Sequence, residues 1–539
     1  MSLSLFFTVE TGQDNVGLND GIGIVAIFSH KQFSGSIGLG HISFSCIRFE
    51  SHKGFKLNRH TGFKGSIVQK SGSGYLMHIL PMVLAVALFM EHVDSNVIST
   101  SLPAIAADLN TSPIALKLAM TSYLVALSVF IPISGWISDR FTARIIFRVA
   151  IVVFLAGSVC CAFSFSLHSF VLSRFLQGIG GAMMTPVGRL LLVKSTPKNQ
   201  LVIAFQWFSI PALVGPLVGP PLGGFITTFF TWHWIFLINI PIGFIGLLLS
   251  SIYLPKNEKR YIRPLDWTGF FLSAISLSGF IFGLSIVSLP ALPQSVGISV
   301  TILGVIFGAI YIKHAKNRTT PLLDLKLFSD PVFARAIIGG SVFRLGIGAV
   351  PFLLPMMLQL AFGLSPIESG LMVLAAAIGS LGMKFGAKEV YARFGFRKVL
   401  MAGSLVSAMF TASNGLFYPT TPYLLMIVVL LFGGFLRSLF FSGVNALAFS
   451  DIAKEDISQA TPIAAVAQQA SMALGIAIAG AVLEIASSFH NNILKLEDFH
   501  TGFFVVGFVS ALAFFIFRTL PRDAGHALNE KSIQNTAQH

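Results

Sequence analysis

A chain of 539 residues in which 54% are hydrophobic, only 11% are charged and 52 are phenylalanine has a positive mean hydropathy that excludes a water-soluble domain of this size. Apolar runs of about twenty residues recur, each able to cross a hydrocarbon core of about 30 Å as a helix, so an all-α polytopic membrane protein is expected rather than a barrel. The formal charge of +14 would suit nucleic acid unless its carriers sit on membrane loops, and three cysteines, Cys46, Cys160 and Cys161, indicate neither a disulfide framework nor a zinc site.

Residues 1–74 stand apart, rich in Gly, Ser, His, Phe and Lys, with no spanning run and no signal-peptide pattern. They are expected to be a disordered extension or an over-extended translation start, with the true start near Met77. His30, His41, His52 and His60 with Cys46 match no familiar metal-ligand spacing, so no metal site is expected.

From there, fourteen helices are predicted, at 77–105, 114–138, 145–166, 169–193, 201–229, 233–254, 267–289, 295–314, 333–362, 367–391, 398–418, 422–449, 457–487 and 502–520. Loops after the even-numbered helices carry the positive charge: Arg140, Arg144 and Arg148; Lys194 and Lys198; Lys256, Lys259, Arg260 and Arg263; Lys313, Lys316, Arg318 and Lys326; Arg393, Arg397 and Lys398. Loops after the odd-numbered helices carry almost none. This alternation predicts both termini in the cytoplasm, and it assigns the basic groups to the membrane surface instead of nucleic acid.

The junction SGWISDRFTARIIF, after the second helix, returns about 250 residues later as EVYARFGFRKVL. The repeat predicts a six-helix half at 75–254, an inserted pair with its linkers at 255–332, a second six-helix half at 333–520, and a cytoplasmic tail at 521–539.

In the first helix, FMEHVDSNVISTSLPAI places Glu91 and Asp94 three residues apart on one face. Two carboxylates in one low-dielectric cavity cannot easily both ionise, which makes Asp94 the best proton carrier and Glu91 a second acid or a cation-attracting group. A pair facing water at the helix end is the other reading. In the fourth helix, LSRFLQGIGGAMMTPVGRLLL carries Arg174, and a charge within a span is functional, tightly paired or snorkelling. The fifth helix contains LVGPLVGPPLGGF, in which Gly215, Gly219 and Gly223 fall at intervals of four and so line one face, while Pro216, Pro220 and Pro221 are expected to bend it.

GWISDRFTAR, residues 135–144, resembles the signature between the second and third helices of major facilitator superfamily transporters. The resemblance implies that Gly135 lets two helices approach, that Asp139 interacts with a neighbouring helix end, and that Arg140 and Arg144 latch the cytoplasmic side. The second-half copy departs from it: Ala392 takes the acidic position and Lys388 the first glycine position, so one complete latch is expected.

Arg174, Gln177, Gly178, Gly180 and Gly181 resemble the superfamily's fourth-helix signature, in which an intramembrane arginine serves proton coupling. Val93-Asp94 through Leu102-Pro103, and TWHWIFLINIPIGF at 231–244, resemble signatures of its fourteen-helix drug:proton antiporters. The Gly-Pro-x-x-Gly-Pro-x-x-Gly-Gly order, ending at Gly223 and Gly224, resembles the fifth-helix signature of its proton-coupled exporters. Asn239 and Pro241 are taken as helix-packing features. In the second half Arg344, Gln468 and Gln469 are candidates to line a substrate path together with Gln177, and Glu484 is expected to reach the outer interface.

The family implies the major facilitator fold, with the two halves rocking about a central cavity and the glycine-proline seam sealing between them. It implies an antiporter in a bacterial inner membrane that exports small amphipathic molecules against protons, without a cofactor. Membrane-fusion and outer-membrane efflux partners stay open. A facilitator for an organic acid or sugar is the alternative. No loop carries a convergent catalytic set, and no G-x-x-x-x-G-K-[ST] pattern occurs, so neither an enzyme nor direct ATP coupling is expected.

Overall fold

The computed structural model describes residues 73–196, 201–254, 264–287, 293–383, 386–453, 456–489, 491, 493–522 and 524–525. The extension expected over 1–74 therefore falls almost wholly outside the described residues, as do Lys198, Lys256, Lys259, Arg260, Arg263 and most of the tail.

Among the described residues, thirteen helices are long and apolar enough to span a membrane, and a bent pair makes a fourteenth. They are α1 (Ile79–Thr100), α2 (Pro113–Phe141), α3 (Ala143–Ala162), α4 (Leu167–Ser195), α5 (Leu201–Phe229), α6 (Trp234–Tyr253), α7 (Trp267–Val287), α8 (Gln294–Asn317), α9 (Pro331–Ala361), α10 (Pro366–Gly382 with Ala387–Phe394), α11 (Phe396–Leu416), α12 (Tyr423–Leu447), α13 (Gln459–Ser488) and α14 (Leu496–Arg518). All fourteen predicted segments form. The bounds shift where local chemistry overrides hydropathy: α1 tightens into a 3-10 turn at Ile98–Thr100, and α9 ends in a π-helical turn at Met357–Ala361. The tenth segment, expected as one helix, instead bends by 58° between Gly382 and Ala387, in a stretch whose glycines support helix weakly. Conversely, α5 is one continuous helix over Leu201–Phe229, so the proline-rich stretch does not break it.

The internal repeat has a backbone counterpart. Thr142, at the turn from α2 to α3, has φ 70°, and Gly395, at the turn from α10 to α11, has φ 75°. These are equivalent positions when Arg140 is aligned with Arg393. A β-branched residue rarely adopts such a conformation, so the first copy holds in strain the turn that glycine makes freely in the second.

The helices before α7 and those after α8 meet along two contacts that the repeat relates to each other: α2 packs on α13, and α10 packs on α5. The inserted helices α7 and α8 pack most closely on one another, and α7 lies against both α2 and α13. Edge-to-face ring pairs seat it on α2, with Phe130 6.0 Å from Phe270 and Trp136 5.9 Å from Trp267. Below the pair, the buried carboxylate of Asp266 accepts hydrogen bonds from the amides of Gly269 (3.0 Å) and Leu322 (3.3 Å), and lies 2.9 Å from His314 Nε2.

Cross-half bonds gather at one end of the helices. Gln359 Nε2 donates to the carbonyl of Thr100 (2.9 Å), the amide of Ile367 donates to Thr228 Oγ1 (3.1 Å), and Lys117 meets Glu484 at 2.8 Å. At the opposite end, each described bond stays within its own half. Arg144 Nη2 donates to the carbonyl of Ser251 (2.5 Å), Lys194 meets Asp139 (3.3 Å), and Arg397 Nη2 donates to the carbonyl of Arg518 (2.6 Å). The structure is closed at the first end.

Candidate proton-coupling site and transport pathway

The deepest polar cluster lies inside the first half. Asp94 on α1 is fully buried, and its Oδ2 accepts from Arg174 Nη1 on α4 at 2.7 Å. Its Oδ1 accepts from Gln177 Nε2 and from Asn239 Nδ2, each at 2.8 Å. Arg174 Nη1 also donates to Gln177 Oε1 (2.5 Å), and Gln177 and Asn239 both donate to Ser158 Oγ, at 2.8 and 3.2 Å. Side chains from four helices, α1, α3, α4 and α6, thus form one cluster around this carboxylate. The arginine also lies over two rings, 4.5 Å from the centroid of Tyr123 and 5.7 Å from that of Phe236. A buried charge is tolerated only with such pairing, so the snorkelling alternative for Arg174 does not hold. The site is also not fully satisfied: Arg174 Nε, Asn239 Oδ1 and Tyr123 Oη are buried with no hydrogen-bond partner.

The glycines after Gln177 explain how α4 comes this close. A Cβ on Gly178 would lie 2.7 Å from the Tyr123 carbonyl of α2, and one on Gly180 would lie 2.5 Å from the Phe154 amide of α3. Small residues bring these backbones together and carry Arg174 and Gln177 onto Asp94.

Several sequence expectations change. Glu91 and Asp94 share a helix but not a partner, since Glu91 Oε2 accepts from Thr185 Oγ1 at 2.9 Å. Gln177, expected on a substrate path, is fully buried in the Asp94 cluster because both its amide atoms are committed there. Asn239 is a member of that cluster and not merely a packing residue. Its signal was present in the run from Trp232 to Pro241, but nothing local to the sixth helix tells an asparagine to meet residue 94. Ser158 carried no signal at all.

The glycine-proline stretch packs differently from the expected seam between halves. Cβ atoms on Gly215, Gly219 and Gly223 would collide with His92, Asn96 and the carbonyl of Val97, all on α1 of the same half. The next face is the one that crosses: Gly224 abuts Pro366 and Ile367, and the carbonyl of Pro220 abuts Gly370 of α10. Periodicity found the ladder, but which neighbour it faces depends on rotation of the helix in the bundle. Pro216 lies one residue from the ladder's first glycine.

In the latch segment, Gly135 is exposed, with nothing within 4 Å of where a Cβ would sit, so it mediates no close approach here. Asp139 pairs with Lys194, Arg144 with the end of α6, and Arg140 is exposed. In the second half, Arg344 is buried, lies 4.7 Å from the centroid of Phe441 and donates to Asn445 Oδ1 at 3.5 Å. Gln468 is exposed and Gln469 half-buried on α13. Glu484, expected to reach the outer interface, is instead buried against Lys117. Among the described residues no group of acidic, histidine and cysteine side chains could hold a metal.

The sequence profile of the Major Facilitator Superfamily matches residues 84–312 and 336–537. The chain belongs to this superfamily. It is similar to the proteins provisionally named multidrug resistance protein MdtD. That of Yersinia enterocolitica is 35% identical over 448 residues, covering 82% of this chain and 95% of the relative. That of Shigella sonnei is 36% identical over 448 residues, covering 82% and 94%. Solved structures share the fold. A D-xylose-proton symporter aligns with a TM-score of 0.61 at 17% identity over 83% of this chain and 98% of its own. A POT family transporter in complex with 5-aminolevulinic acid aligns at 0.61 and 17% over 83% and 96%. The protein is therefore a multi-pass membrane transporter of the major facilitator fold rather than an enzyme.

Proposed function

We propose that the protein is a proton-coupled exporter of amphipathic drugs or similar small molecules, working by alternating access in the bacterial inner membrane with both termini cytoplasmic. The observation that carries this reading is the fully buried Asp94–Arg174 pair. Protonating Asp94 removes the counter-charge of an arginine that has no route to water in this state, so the closed packing of α1 on α4 loses its electrostatic support. Proton binding is thereby tied to a change of conformation. One charge moved across 100 mV contributes about 2.3 kcal/mol, roughly a fifty-fold bias in an equilibrium. The name of the MdtD relatives supports drugs as the cargo. The basic loops that follow even-numbered helices support the orientation, which puts the closed end outside.

Arg344, Gln468 and Gln469 are proposed to line the cargo's path, and Gly135, Asp139, Arg140 and Arg144 to latch the inner side in the opposite state. One observation favours the second reading, a carrier for a specific metabolite such as an organic acid. Among the described residues Arg344 has no carboxylate partner, and an anionic cargo would supply one.

Transport into inverted vesicles tests both readings. Lipophilic cations and organic acids are offered with and without a pH gradient, to the native protein and to Asp94→Asn. Uptake indifferent to an uncoupler and to Asp94→Asn would end the antiport reading; gradient-driven uptake of acids alone would favour the second.

A further inference from the structure

The internal repeat sets a place in the second half against the Asp94 cluster of the first. Aligned as at Thr142 and Gly395, Ser158 and Cys161 of α3 fall on Thr411 and Asn414 of α11. Helix contacts carry the same match further. Gly215 abuts His92 of α1 as Gly475 abuts Leu345 of α9, which sets Asp94 against Ile347. Gly178 abuts the carbonyl of Tyr123 on α2 as Gly434 abuts that of Ala376 on α10, which sets Arg174 against Leu430 and Gln177 against Gly433. The carboxylate, guanidinium and amide that fill the first site are thus replaced by an isoleucine, a leucine and a glycine.

A cavity of about 20 Å³ lies in their place, room for one small occupant, and Ile347, Leu430, Gly433, Thr411 and Asn414 all line it. Arg437, partly buried within the α12 span, lines it as well, one turn beyond Gly433. A helical side chain leans toward its own N-terminus, so Arg437 is directed back over Gly433 and Gly434, which have no side chain to meet it. Among the described residues Arg437 has neither a hydrogen bond nor an ion pair. Asn414 is 5% exposed, and its Oδ1 is buried without a donor. Arg344 is not part of this place, since its guanidinium lies over Phe441 and donates to Asn445.

We propose that this cavity is an anion-binding site for one compact monovalent anion, a halide or the carboxylate of a small organic acid, with Arg437 as its counter-charge. A guanidinium keeps its proton, and a charge within a span calls for an opposite one. The first half builds that opposite charge into the chain as Asp94, whereas the second puts Ile347 at the equivalent position and leaves room for a solute. Asn414 completes the site. With Oδ1 inward its oxygen lacks a donor; turned over, the amide presents Nδ2 to an anion held by Arg437. The size of the cavity restricts the occupant to a single ion or a single carboxylate head. The proposal goes beyond the function proposed above, and its readout is binding, so it stands or falls independently of proton coupling and of the direction of transport.

The test melts the purified full chain in halide-free detergent solution while sodium bromide replaces sodium gluconate, whose anion is too bulky for the cavity, at fixed ionic strength. Sodium acetate replaces gluconate in a second series. A saturable rise in Tm is expected in the native protein, because the anion binds only the folded state. A rise with bromide alone assigns a halide, a rise with acetate alone a carboxylate, and a rise with both a site for either. Arg437→Gln should weaken the apparent affinity at least about tenfold, while Arg437→Lys, which keeps the charge, should still give a saturable response. Asn414→Asp places a carboxylate beside Arg437, so this variant should melt above the native protein in gluconate and respond to neither salt. Arg344→Gln should respond as the native protein does. No saturable rise with either salt in the native protein would overturn the site, as would a native response in Arg437→Gln or one lost in Arg344→Gln alone. Should Arg437→Gln fail to fold, Asn414→Asp decides: loss of the response upholds the site, and an unchanged response overturns it.

Discussion

Asp94 and Arg174 lie 80 residues apart in the chain and 2.7 Å apart in the fold, with no more than 1% of either side chain exposed. Breaking a buried pair by neutralising one partner typically costs about 3–5 kcal/mol, because the other charge is left uncompensated. Asp94→Asn is therefore expected to abolish gradient-driven transport and to lower the melting temperature in detergent. Arg174→Lys keeps the charge, but an ammonium lacks the planar guanidinium that brings Nη1 onto both Asp94 and Gln177, so it should retain fold and lose most coupled transport. Vesicle transport with a thermal unfolding scan separates the two effects.

Asn239 acts on Asp94 from α6. Replacing it with alanine removes hydrogen bonds to Asp94 Oδ1 and Ser158 Oγ, and a lost bond to a buried charged group costs on the order of 1–3 kcal/mol. The Asn239→Ala protein should still insert and fold, while the pH profile of its transport shifts relative to the native protein. An unchanged profile would reduce Asn239 to the packing residue its sequence context suggests.

Two neighbouring glycines should behave differently. Gly219→Leu drives α5 into Asn96 of α1, within one half, and overpacking of this kind costs about 1–3 kcal/mol or more. It is expected to destabilise the folded protein. Gly224→Leu pushes instead against Pro366 and Ile367 of the other half, so it should part the closed ends and speed thiol labelling at that seam with little loss of thermal stability. Similar effects from both substitutions would contradict this division.

Asp266 ties the base of α7 to α8 and the following linker. Burial pushes its carboxyl up, but the Gly269 amide, His314 and the Leu322 amide outweigh burial and hold it below the ordinary aspartate value. A depressed carboxylate contributes stability that is fully present above its unfolded pKa of about 3.9 and is lost as pH falls through the lower folded value. Asp266→Ala should thus lower thermal stability at pH 7, by roughly 1–3 kcal/mol. The gap between variant and native protein should close in acid below that window, as read by melting curves across pH.

Much of this architecture was legible in the chain because its causes are local. Hydropathy over twenty residues marks a span whatever surrounds it, so all fourteen segments were found. The recurring Arg-x-x-x-Arg turn marked the repeat, and Thr142 and Gly395, two residues after its first arginine in each copy, both have positive φ. Arg174, Gln177 and Asp94 were each marked by cost: a charge or amide in a span calls for a partner, though hydropathy cannot say which. That is why Gln177 was assigned to the cargo path and Asn239 to packing.

The sequence by itself determined the number of helices, their alternation across the bilayer and the residues too polar to lie there unpaired, because transfer into lipid is a property of each segment alone. Tertiary structure decided the pairings: Asp94 with Arg174 and Asn239, the Gly215–Gly223 ladder with α1 rather than the other half, and Lys117 with Glu484. Each of these depends on how far a helix is rotated about its own axis. That rotation is set by the packing of several helices at once, so no single stretch of sequence encodes it.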